Sequence, residues 1–307
     1  MPARTGRHSL TRGARSRGIP FVILLIGVGA AGVILDAPGR WAAGYGLLRH
    51  AAWDGVAAAD LVAPLFLFLL GVSIPLLSEG AAPRAILLRA GFLVALGLLL
   101  SGSPRFDLST WRVPGLLQRA GCCYAVAGVA YHATAGDRRR RGAILVSSAA
   151  FLALAYWLVM THVPVPGGTA GDLSMEGNLA AWADRVVMGR HGWSPRWDPD
   201  GLLSTVSSVS TALFGVAAGM CVAFGQRRAR TTAQLAGAGA AGIAGGILWS
   251  PMFPLNRTLW SGSFVVLSAG VASLLLAIGY WITAMRDDAG NGASREQDDL
   301  RPAAGRG

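Results

Sequence analysis

The chain has 307 residues, 53% of them hydrophobic and only 14% charged, with a mean hydropathy of +0.47. Soluble domains carry roughly a quarter of their residues as charged side chains, so the composition excludes an ordinary soluble globule. The formal charge of +11 rests on arginine alone on its basic side; the arginines stand in short blocks between apolar runs without interleaved aromatics, which argues for orientation in a membrane and against nucleic-acid binding.

Residues 1–18 form a basic arm with Arg4, Arg7, Arg12, Arg15 and Arg17. The apolar run 19–35 that follows is longer than a signal-peptide core, and Leu35-Asp36-Ala37 is a poor cleavage site, so it reads as a retained first helix. Further apolar runs long enough to cross a bilayer lie near 57–77, 85–101, 113–132, 143–160, 202–224, 232–250 and 263–284. The expected fold is all-α, a polytopic helical membrane protein of about eight transmembrane helices. The membrane domain spans 19–284, and 285–307 reads as a disordered, charged tail. Glycine, present 42 times, suits close packing of membrane helices. Cys122, Cys123 and Cys221 lie inside apolar segments and read as small packing residues.

If the spans alternate, the loops fall into two sets. One holds the basic arm, Arg138–Arg141, then Arg227, Arg228 and Arg230, and the tail. The positive-inside rule assigns this set to the cytoplasm, with both termini inside. The other set covers 36–56, 102–112, 161–201 and 251–262, and concentrates Trp, His, Asn and Asp. Interfacial anchoring accounts for some of the tryptophans. It does not account for His50, Asp54, Asn178, Asp184, His191, Asp198 and Asn256, which place the working surface on the extracytoplasmic side of a plasma (inner) membrane.

Ionisable groups within spans are costly and need an account. Asp60 lies early in the second span, either as a helix-end carboxylate or as a polar group lining a cavity. Arg119, beside Gln118 one to two turns into the fourth span, either snorkels outward or is a buried guanidinium. A buried one would pair with Asp60 or bind a phosphate or carboxylate ligand. His50, just before the second span, is the general base of choice on this face, because an unperturbed imidazole titrates near neutrality; His191 is a further candidate. No His, Asp or Glu pair has helical ligand spacing, so no metal is expected.

Five stretches in order, HAAWDGVAAADLVAPLFLFLLGVSIPLL, VPGLLQRAGCCY, GNLAAWADRVVMGRHGW, WDPDGLLSTVSSVSTALFG and PLNRTLWSGSFVVL, resemble the membrane domain of the heparan-α-glucosaminide N-acetyltransferase family. The resemblance runs from about residue 36 to residue 264. It implies a transmembrane acyltransferase that takes acetyl-CoA from the cytosol and acetylates an amino sugar or glycan across the membrane. It also implies His50 as the active-site histidine. Gln118 and Arg119, and Asn256 and Trp260, match two further family elements; with Trp53, Asp54, Asp60, Asn178, Asp184, Arg185 and His191 they are the expected substrate- or cofactor-binding residues. Arg119 would hold a coenzyme A phosphate or the developing oxyanion, and Asn256 would donate to the same oxygen.

Two positions depart from the family pattern. The family's start before the first helix survives only as Arg17-Gly18, and Asp36 replaces an asparagine before the histidine motif. Asp36 is therefore a second catalytic candidate, orienting the His50 ring or favouring imidazolium. Family members also commonly continue through further helices. The competing class is a non-enzymatic membrane protein, a transporter or a ligand-binding relative. Lipid is the expected partner besides the acceptor, and homodimerisation stays open.

Overall fold

A computed structural model describes residue 27 and residues 49–77, 83–103 and 106–299, with side chains as far as 283. The expected first span, Asp36 and Arg17-Gly18 lie outside the described residues. An irregular segment, 49–57, leads through a 3-10 turn (Ala58–Leu61) into α1 (Val62–Leu77). Then follow α2 (Pro83–Gly102), α3 (Leu116–Ala133), α4 (Arg138–His162), α5 (Leu179–Met188), α6 (Leu202–Phe224), α7 (Arg228–Trp249) and α8 (Gly262–Asp299). Among the described residues every regular element is helical.

Five of these helices are long and apolar enough to cross a membrane: α1 with its 3-10 turn, α2, α4, α6 and the Gly262–Thr283 part of α8. The chain is thus a multi-pass helical membrane protein. The two remaining long helices, α3 and α7, occupy expected spans but are less apolar. Gln118 and Arg119 interrupt α3, and α7 is mostly alanine and glycine with polar residues in its first turns.

Several boundaries differ from expectation for local reasons. Pro114 and Gly115 stay outside α3, with Gly115 as its N-cap. Asp137 caps α4 by accepting the Arg140 N–H at 2.8 Å, so the arginine block opens the helix instead of preceding it. The helical backbone of α8 continues to Asp299, past the expected end at 284. The expected loop 161–201 contains α5, capped by Asn178, whose Oδ1 accepts the Ala181 N–H at 2.8 Å.

Burial separates centre from periphery. In α1 and α6, 72% and 67% of the span is buried inside the protein, against 22% in α2 and 28% in α4. The exposed apolar side chains of α2 (Leu88, Phe92) and α4 (Phe151, Leu158) therefore face lipid. α6 is the hub and touches α1, α3, α4, α5, α7 and α8. Hydrophobic burial does little to associate helices in lipid, where close backbone approach and hydrogen bonds take over. Gly71 of α1 shows the first: a Cβ there would run into the Ala212 carbonyl of α6. Ser204, Ser207 and Thr211 of α6, each at most 1% exposed, show the second, bonding Arg119, the Trp260 carbonyl and the Trp260 indole.

The two loop sets separate in space. Segment 49–57, the α2–α3 connection, the stretch from α4 to α6 and the α7–α8 turn meet at one end of the bundle. There Gly55 N–H donates to the Leu255 carbonyl (2.8 Å) and Val113 N–H to the His191 carbonyl (2.9 Å). At the other end the arginine-bearing turns pack together, with Arg138 over the Phe224 ring (4.1 Å) and Arg141 over Tyr131 (4.5 Å).

Candidate functional site

Segment 49–57 delivers a histidine to a buried carboxylate. His50 Nδ1 lies 2.7 Å from Asp60 Oδ1. A carboxylate oxygen accepts, so Nδ1 carries a proton, and in the neutral imidazole the lone pair stands on Nε2. Asp60, 1% exposed, also accepts the N–H groups of Ala51 (3.1 Å) and Ala57 (2.8 Å) through Oδ2. The carboxylate thus closes the turn into α1 and fixes the imidazole with one group. This is the helix-end reading of Asp60 and the functional one at once. Asp60 thus orients the His50 ring, while Asp36, the candidate the sequence suggested for that role, lies outside the described residues.

The α7–α8 turn braces this segment. Asn256 Nδ2 donates to Asp54 Oδ1 (3.2 Å), and its Oδ1 accepts the Leu259 N–H (2.8 Å). Its Oδ1 and one of its two amide hydrogens thus brace the α7–α8 turn against segment 49–57. Trp260, 1% exposed, sits at φ +50°, a costly conformation for a bulky residue. It is held by Nε1 donating to Thr211 Oγ1 (3.1 Å) and by Ser207 Oγ donating to its carbonyl (2.7 Å).

Arg119 stacks on the Trp260 ring, 4.6 Å from its centroid. At 2% exposure it is buried and does not snorkel. Nor does it pair with Asp60, the partner the sequence suggested. It donates to Ser204 Oγ (2.6 Å) and the Pro199 carbonyl (3.1 Å), and its Nε lies 3.8 Å from Asp200 Oδ1. Asp200 belongs to the Asp198-Pro199-Asp200-Gly201 turn before α6, folded around Arg112. That guanidinium reaches Asp198 (3.2 Å) and Asp200 (3.1 Å) and lies 4.7 Å over Trp193. Arg112, Asp200 and Ser204 were not singled out from the sequence. The alternating aspartates of WDPDG were the one available signal, since two carboxylates so near a span need cations. Gln118 lies against Gly97 and Gly115, its Nε2 buried without a hydrogen-bond partner among the described residues.

A cleft of about 210 Å³, counted to its open mouth, lies beside this network. Trp53, Trp197, Asn178, Asp184, Asp198 and Ser204 contribute to its walls. Trp53 and Trp197 meet edge to face at 6.2 Å, and the Trp53 indole N–H donates to the Leu173 carbonyl (3.0 Å). Asp184 caps α6 from a distance, its Oδ1 accepting the Leu202 N–H at 2.8 Å. A Cβ at Gly201 would run into this carboxylate, so glycine is required there. Burial pushes the Asp184 pKa up to about 6 against the Leu202 N–H; the nearby Asp198 charge raises it further, while Arg119 and Arg185 pull it down.

The remaining expected residues are struts. Asn178 Nδ2 donates to the Ser174 and Met175 carbonyls, and Arg185 Nη1 to those of Glu176 and Arg196. His191 Nδ1 bonds the Trp111 carbonyl at 2.9 Å, which ties the α2–α3 connection to the stretch after α5.

No protein-family model matches the chain. It is similar to the heparan-alpha-glucosaminide N-acetyltransferase of Mus musculus, 27% identical over 297 aligned residues covering 77% of this chain and 45% of that protein. It is likewise similar to the protein of that name from Homo sapiens, 28% identical over 296 residues, covering 77% and 44%. The chain therefore spans about half the length of the curated relatives it matches.

Proposed function

We propose that this chain is a membrane-embedded acyltransferase that moves an acetyl group from cytosolic acetyl-CoA to an amino sugar or related glycan across a plasma (inner) membrane. The observation that carries it is the His50–Asp60 pair at the end of the bundle where the tryptophan- and acid-rich segments converge. Similarity to two N-acetyltransferases over 77% of the chain supports the same chemistry. Eight membrane crossings with both termini cytoplasmic fit the separation of the arginine-bearing turns from the site.

In this mechanism the acceptor's ammonium first gives one proton to solvent, the neutral amine attacks the thioester carbonyl, and His50 Nε2 takes a second N–H proton as the new C–N bond forms. The C–S bond breaks, and the imidazolium returns the proton to the departing thiolate, releasing free coenzyme A. Asp60 keeps Nδ1 protonated and steadies the imidazolium. The two-step alternative, in which Nε2 attacks first and carries the acetyl group, uses the same lone pair. Arg119 and Asn256 then act by holding α3, α6 and the α7–α8 turn in register beneath His50.

The test follows thiol release from acetyl-CoA by the purified chain, with and without glucosamine, for wild type and His50→Ala. Glucosamine-dependent release that disappears in the variant is expected. Undiminished release by His50→Ala would remove His50 from the mechanism, and no release from folded protein under any condition would overturn the enzyme assignment.

A further inference from the structure

The acidic group at the centre of the cleft is buried without a cation of its own. Asp184 is 5% exposed; Oδ1 is used by the Leu202 N–H, and Oδ2 accepts no hydrogen bond among the described residues. The cations nearby are engaged elsewhere, Arg119 by Pro199, Ser204 and Asp200, and Arg185 by two backbone carbonyls. Asp198, the other carboxylate of the cleft, is saturated by Arg112, the Trp193 N–H and the Asp200 N–H. Asn178 has no free donor, and its Oδ1 accepts the Ala181 N–H. Asp184 Oδ2 is thus the one carboxylate oxygen of this cleft that accepts no hydrogen bond among the described residues. A buried carboxylate with an open oxygen is costly unless a cation or donor meets it.

We infer that this cleft is the recognition site for the acceptor's ammonium group, taken by Asp184 Oδ2, with the sugar ring lying at the mouth against Trp53 and Trp197. The identity of the cation as an amino sugar rests on the acyltransferase assignment; the site for a cationic amine does not. Dimensions agree with this seating: the enclosed depth takes about one water, which is the size of an ammonium head, while a ring fits only at the open mouth. Aromatic walls suit both the cation and the apolar face of a sugar. Asp198 and Asp184 give the cleft its negative sign, and the pKa near 6 leaves Asp184 ionised at neutral pH.

The experiment titrates the purified full chain, without acetyl-CoA, with glucosamine, glucose and N-acetylglucosamine, read by intrinsic tryptophan fluorescence. Glucosamine is expected to bind, and the two neutral sugars to bind roughly tenfold to a hundredfold more weakly. Asp184→Asn, which keeps an acceptor for the Leu202 N–H, is expected to lose the same factor for glucosamine and none for glucose. As a measurement independent of any variant, esterification of Asp184 by a diazo reagent, which does not consume amines, is expected to be slowed by glucosamine and not by glucose. Equal affinity for the three sugars, or labelling indifferent to glucosamine, overturns the site. If thiol release is glucosamine-dependent and lost in His50→Ala while Asp184→Asn keeps its affinity and KM for glucosamine, the site fails and the acyltransferase assignment stands. If no acceptor supports release but glucosamine still binds through Asp184, the site stands and the enzyme assignment fails.

Discussion

Asp184→Asn separates what this carboxylate costs the fold from what it does. In the folded protein the group titrates near 6 instead of 3.8, chiefly because burial disfavours the anion. An unfolded chain ionises from about 3.8 upward, so folding stability falls as pH rises from about 3.8 to about 6 and is level above that. The gap corresponds to about 3 kcal/mol at full ionisation. Asparagine keeps the Leu202 cap and removes the charge, but its amide N–H groups need partners, which returns about 1 kcal/mol. The variant is therefore expected to be more stable than wild type by about 2 kcal/mol at pH 8, with the difference shrinking towards pH 4. Scanning fluorimetry of detergent-solubilised protein across pH 4 to 8 reads this directly. A midpoint difference independent of pH, or a variant less stable at pH 8, refutes the reasoning. A stabilised variant that has lost its amine affinity would show a buried charge retained for function at the expense of the fold.

Asp60→Asn leaves an acceptor at the turn into α1 but no longer dictates the His50 tautomer; thiol release is expected to fall by about 10²–10⁴-fold, with little change in glucosamine affinity. Loss of affinity with unchanged turnover would contradict the orienting role. Arg119→Ala takes the donor from the Pro199 carbonyl and Ser204 and the stacked cation from Trp260, leaving Asp200 to Arg112, and is expected to destabilise by about 2–3 kcal/mol, while Arg119→Met, which keeps the packing on Trp260, recovers part of that; thermal midpoints of wild type and the two variants decide it. For orientation, Ser109→Cys and Arg139→Cys are placed at exposed positions on opposite ends of the bundle. In a background without the native cysteines, an impermeant maleimide is expected to label Ser109→Cys from outside intact cells and Arg139→Cys only after lysis. The opposite pattern would invert the topology.

The sequence by itself determined the class of molecule, most of the spans and the grouping of its loops. Apolar length and arginine placement are properties of consecutive residues, and the bilayer tests them locally. It also singled out His50, Asp60, Arg119 and Asp184, because a charge or an imidazole beside an apolar run demands an account wherever it ends up. What only the tertiary structure decided was who meets whom. Arg119 pairs with Asp200, across 81 positions of chain, because α6 as the hub brings the WDPDG turn against α3. Asp60 turns towards His50 because the same carboxylate closes the turn into α1. Asn178 and His191 became struts because their polar atoms met backbone partners in the fold, and Asn256 because it met the Asp54 carboxylate and the Leu259 N–H. Asp184 kept one oxygen open because its neighbouring cations found other partners first. Such outcomes depend on competition among groups far apart in the chain, and spacing along one strand of sequence carries no record of it.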